Sequence, residues 1–97
     1  MLLDGLYTLI NAEKSEAKIL LCDASHPIFK AHFPSNPILP AFTHIEIIAD
    51  VFDLDISSIK KAKFSSVVTP KSELLYKKED RKVKVFCEET LVATFNF

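Results

Sequence analysis

His32 and Glu46 are the residues of this chain best suited to move protons. They sit in the stretch HPIFKAHFPSNPILPAFTHIEIIAD, residues 26–50. An imidazole can accept or release a proton near neutral pH, and acid/base chemistry needs such a group held still beside its partner. The surrounding residues provide that restraint. Pro34, Pro37 and Pro40 recur at every third position after His32. Each fixes φ near −65° and lacks an N–H, and each drives the residue before it out of the helical region. Residues 33–40 therefore read as a stiff, extended connector carrying His32 at its start. A helix begins at Ala41, just after Pro40, and runs to about Asp53.

Phe42, Ile45, Ile47, Ile48, Ala49, Val51 and Phe52 cover most of the circumference of that helix. A helix that is apolar nearly all round is expected to be buried. Its polar residues Thr43, Glu46, Asp50 and Asp53 follow spacings of 3, 4 and 3 and make one narrow stripe. A carboxylate on such a helix is costly unless paired, solvated in a cleft or neutralised. Glu46 is thus a candidate acid. Asp50, one turn on, reads either as a residue that orients Glu46 or as a solvated group near the helix end. His26 and His44 read as structural or exposed. The three histidines lack the spacing of a metal-ligand set, so no metal and no cofactor is expected.

The helix needs a surface to pack on, and the rest of the chain supplies strands. Residues 5–11 and 17–23 read as two strands joined by a polar turn. Residues 58–68, 74–78, 83–87 and 91–97 read as four more, with apolar and polar residues alternating clearly in VKVFC. The order strand–strand–helix followed by four strands implies an α+β layer architecture. An antiparallel sheet wrapped around one central helix is the way to bury that helix with so few strands.

Composition sets outer limits. The 97 residues suit a single domain spanning 1–97, whose thin core would gain from oligomerisation. Hydrophobic residues make up 48% and charged residues 26%, which argues for a globular chain. The net charge of −1 argues against nucleic acid as a partner. No apolar run is long enough for a membrane span. The first residues, MLLDGLYTLIN, lack a basic leader region, and Cys22 and Cys87 read as reduced thiols of a cytoplasmic protein, with a disulfide or metal pair as the alternative. Gly5 is the one glycine, so no glycine-rich phosphate cradle is present. Nine of the twelve lysines and arginines lie between Lys60 and Lys84. They read as solvated strand faces or as a docking surface for an acidic protein.

The stretch around His32 resembles the signature of the beta-hydroxyacyl-acyl-carrier-protein dehydratases, roughly G-H-F-P-G-x-P-I-x-P-G followed by a helix with an acidic residue. His32 stands at the family's catalytic histidine. Glu46 follows 14 residues later (46 − 32), the family's spacing for its catalytic acid. Ala31, Ser35 and Ala41 stand where the family has glycine. SSIKKAKFSSVVTPKSELLYK resembles the family's later strand pair and LVATFNF its closing strand, so the resemblance covers about residues 17–97. It implies a hot-dog fold and a homodimer, with His32 taking the C2 proton of a 3-hydroxyacyl thioester. Glu46 of a second subunit would assist loss of the C3 hydroxyl, and the Ala41 N–H would polarise the thioester carbonyl. The substrate would be acyl-phosphopantetheine on acyl carrier protein, with its tail in an apolar tunnel past Phe33, Ile38 and Phe42. Two alternatives are a hot-dog thioesterase, and a degenerate module that binds acyl carrier or only dimerises.

Overall fold

The computed structural model describes residues 4–33 and 35–97; Pro34, the first proline of the expected connector, lies outside them. Along the chain run β1 (Tyr7–Ala12), β2 (Glu16–Leu21), α1 (Pro27–Ala31), α2 (Ala41–Val51), β3 (Lys61–Phe64), β4 (Glu73–Glu79), β5 (Lys82–Cys87) and β6 (Thr90–Asn96). The strands form one six-stranded sheet in the order β1-β2-β4-β5-β6-β3, and every pairing is antiparallel. The expected α+β architecture is present.

Side-chain alternation decides which sheet face is the core. Ala17, Ile19 and Leu21 of β2, Leu74 and Tyr76 of β4, Val83 and Val85 of β5, and Phe95 of β6 all point inward and are buried. Helix α2 lies on that face, with Ile47 and Ile48 in the same core cluster. Each large apolar side chain so buried contributes about 1.5–3 kcal/mol over its exposed state.

Three expectations need correction. First, α2 is not buried all round. Thr43, His44, Ile47 and Ile48 are buried, but Ala41, Phe42 and Asp50 are exposed and Ile45, Glu46 and Ala49 are half-buried. One chain's sheet covers one side of the helix, and the outward apolar stripe stays uncovered. Second, the segment before the connector is helical. His26 caps α1 by accepting the Ile28 N–H at Nδ1 (3.1 Å), Pro27 occupies the first turn, and Ile28 and Phe29 enter the core. Third, the strand expected over 58–68 is paired only from Lys61 to Phe64. At Ser65 and Ser66 the chain leaves the ladder, and both N–H groups turn to the Val92 carbonyl.

Candidate active site

The His32 side chain is positioned by α1 and by the connector. Its backbone N–H closes α1 on the Ile28 carbonyl (3.2 Å), and its carbonyl accepts the Ile38 N–H (2.7 Å). The connector is tied in turn to the sheet end, where the Leu39 N–H donates to the Val68 carbonyl (2.7 Å). The ring is oriented too. Nδ1 lies 3.1 Å from the Ile28 carbonyl oxygen. A carbonyl only accepts, so in the neutral imidazole Nδ1 carries the proton and Nε2 keeps its lone pair. Nε2 is thus the atom left for proton abstraction. Phe33 and Phe42 flank the ring edge-on, with centroids 5.9 and 5.8 Å away.

Glu46 is half-buried on α2. Among the described residues it has no hydrogen-bond or ion-pair partner, His32 included. One chain therefore leaves the two candidate residues, His32 and Glu46, unjoined. Ala41 is the first residue of α2, and no side chain caps that helix. Its first-turn N–H groups carry the partial positive charge of a helix start. The positions where the resembled family has glycine are not strained: among the described residues positive φ falls at Gly5, Asp53, Lys71, Asp80, Glu88 and Glu89, not at Ala31, Ser35 or Ala41.

The three residues expected to line an acyl tunnel are not enclosed by the described residues of one chain. Phe33 is 53% and Phe42 44% exposed, and Ile38 is half-buried. The helix–sheet interface is filled instead by Ile47, Ile48, Tyr76 and Phe95. Asp50 has a different neighbour from the one expected, for it accepts a hydrogen bond from the Tyr7 hydroxyl of β1. Burial first, and then that carboxylate, push the phenol well above its ordinary pKa. Asp50 thus ties α2 to β1.

Sequence reasoning left one buried polar pair unread. His44 is 3% exposed, and its Nδ1 lies 2.9 Å from the Tyr76 hydroxyl. Desolvation pushes the imidazole down to about 4 and the phenol up. The pair fastens the first turn of α2 to β4, two residues before Glu46. No local signal links positions 32 residues apart; the only hint was a histidine between apolar helix positions. His26, read as structural or exposed, caps α1 and contacts the Asp4 carbonyl at 2.8 Å through Nε2. Cys22 and Cys87 are free thiols. Among the described residues no three His, Cys, Asp or Glu side chains are grouped to hold a metal ion, and no helix is long and apolar enough to cross a membrane.

Comparison with known proteins gives a consistent set of matches. The family model of the ApeI-like dehydratases (ApeI dehydratase) matches residues 10–93. The 3-hydroxyacyl-acyl-carrier-protein dehydratase FabZ of Enterococcus faecalis is 31% identical over 97 residues, covering 87% of this chain and 68% of that protein. Among solved structures, the dehydratase heterocomplex ApeI:P from Xenorhabdus doucetiae superimposes with a TM-score of 0.71 at 22% identity, over 92% of this chain and 93% of that one. A variant of the phenylacetic acid degradation protein PaaI from Thermus thermophilus follows with a TM-score of 0.55 at 13% identity, over 96% and 91%. At these identities the two structures speak for the shared hot-dog fold.

Proposed function

The chain belongs to the ApeI-like dehydratase family, and we propose that it converts a 3-hydroxyacyl thioester on acyl carrier protein to the trans-2-enoyl thioester. The observation that carries this reading is the His32 ring, whose Nδ1 is occupied by the Ile28 carbonyl, leaving Nε2 directed to chemistry. His32 Nε2 takes the C2 proton. The C–H electron pair becomes the C2–C3 double bond as the C3–O bond breaks, and Glu46 protonates the departing hydroxyl so that it leaves as water. The Ala41 N–H stabilises charge that develops on the thioester oxygen.

Glu46 acts on substrate held by His32 of another subunit of a homodimer. The reading is supported by the absence of any His32–Glu46 contact within the described chain and by the uncovered outer face of α2. Phe33 and Phe42, exposed beside His32, then bed the acyl tail once a second subunit covers them. The reaction takes place in the cytoplasm, where acyl carrier is available, and uses no cofactor. Incubation with a 3-hydroxyacyl carrier thioester, followed by mass spectrometry of the carrier, tests this. Loss of one water from the acyl group is the expected result. Release of free acid, leaving bare carrier, would replace the reading with a thioesterase, and an unchanged acyl carrier with a binding module.

A further inference from the structure

Among the described residues, two side-chain hydrogen bonds join α2 to the sheet. His44 Nδ1 lies 2.9 Å from the Tyr76 hydroxyl of β4, and Asp50 accepts from the Tyr7 hydroxyl of β1. Thr43, the other buried polar residue of α2, finds no partner for its hydroxyl among them. The rest of the contact is apolar, through Ile47 and Ile48. Burial of such side chains holds a helix down but is non-directional. A hydrogen bond weakens steeply as its angle closes, so it resists rotation as well.

The two bonds sit at different heights and on different sides of the helix. His44 and Asp50 are about 9 Å apart along its axis and about 120° apart around it. Two points so placed set the roll of the helix, which one point alone does not. Glu46 stands between them, turned about 160° from His44 but only about 40° from Asp50. His44 is thus a pivot on the buried side, and Asp50 a stop beside Glu46, one turn on along the same stripe. Burial agrees with this placement: His44 is buried, Glu46 half-buried and Asp50 exposed.

Both hydroxyls come from firmly held strands. Tyr76 is fully buried in β4, where it pairs with Ala17 on one side and Val85 on the other. Strand β1 is a sheet edge, yet Tyr7 is anchored there. It pairs with Leu21, and the carbonyl of the preceding Leu6, itself buried, accepts the Cys22 N–H (2.8 Å). The roll they set matters for Glu46. A turn of α2 by about 20° would carry a group at the helix's outer radius of about 5.5 Å through about 2 Å. A misplacement of about 1 Å can cost about a hundredfold in rate.

We propose that Tyr7 is a positioning residue for the acid: its bond to Asp50, with the His44–Tyr76 bond as pivot, fixes the roll of α2 and with it the direction of Glu46. The role given to Glu46 rests on the function proposed above. Tyr7 acts through Asp50 and the helix, not by contact with substrate.

Tyr7→Phe removes the donor hydroxyl and keeps the half-buried ring, so the variant should fold, as urea unfolding checks. It is expected to lower kcat for dehydration about tenfold with KM unchanged, because Glu46 acts only as the C3–O bond breaks. A wild-type kcat would overturn the proposal. Asp50→Asn, whose amide oxygen still accepts the Tyr7 hydroxyl, is expected to keep the wild-type rate. A loss there as large as in Tyr7→Phe would assign the effect to the Asp50 charge and overturn the clamp. In a Glu46→Gln background, Tyr7→Phe should bring no further loss, since the two act through one group. An equal loss with and without Glu46 would mean general loosening and count against it. A second readout needs no turnover. With glutamate isotope-labelled at its carboxyl carbon, the Glu46 resonance, assigned by its absence in Glu46→Gln, should shift in Tyr7→Phe and hold its place in Asp50→Asn. If the wild type releases no water, that shift still supports the positioning role and only the proposed reaction falls. An unmoved resonance would then overturn the positioning role as well.

Discussion

At the residue scale the decisive feature is a tautomer. The Ile28 carbonyl holds the His32 proton on Nδ1, which leaves Nε2 with its lone pair, as the proposed role of base requires. Acid/base groups typically contribute about 10²–10⁴-fold in rate, and groups acting as one unit are non-additive. His32→Ala and Glu46→Gln are therefore each expected to slow dehydration at least about a hundredfold. The double variant should be little slower than the poorer single one. Steady-state rates on a 3-hydroxyacyl thioester check this, and single variants with near wild-type rates would remove the two residues from the chemistry. Both candidates were legible in the sequence because the prolines and the apolar helix mark them locally. The Asp50 partner was not, since Tyr7 lies 43 residues away and only the fold brings the two together.

At the scale of elements, α2 is fixed by what its buried face carries. Its start was legible because Pro40 stops the extended connector and the apolar residues begin at once. Its environment was misread, because a hydrophobic pattern reports which residues avoid water and not which chain covers them. Helix α1 escaped notice because five residues are too few to show a period. The His44–Tyr76 hydrogen bond that seats α2 on β4 gives a pH signature. The folded imidazole binds a proton only near pH 4, against an ordinary value of 6.5. Between those values the unfolded chain holds more protons, so stability is full above pH 6.5 and falls as pH falls toward 4. The loss attributable to His44 is about 3 kcal/mol. Urea unfolding at stepped pH should show this slope in the wild type and a flatter one in His44→Gln. Parallel slopes in the two proteins would mean that His44 is not buried in its neutral form.

At the scale of the whole molecule, the described residues of one chain leave open the apolar outer stripe of α2 with exposed Phe33 and Phe42, and the two sheet edges, β1 and β3. Unpaired edges are sites where further chains add. Light scattering at micromolar concentration is expected to give about twice the 10.9 kDa chain mass; a mass of one chain would leave His32 without its acid. The sharpest test mixes two dead proteins. The His32→Ala and Glu46→Gln proteins are unfolded together, refolded, and assayed for enoyl thioester. On the proposed two-fold arrangement, half of randomly formed dimers are mixed, and each mixed dimer holds one intact pair of His32 and Glu46 from opposite chains. Recovery to about a quarter of wild-type activity is the expected result for a shared two-fold site. A mixture as inactive as its parents would contradict it.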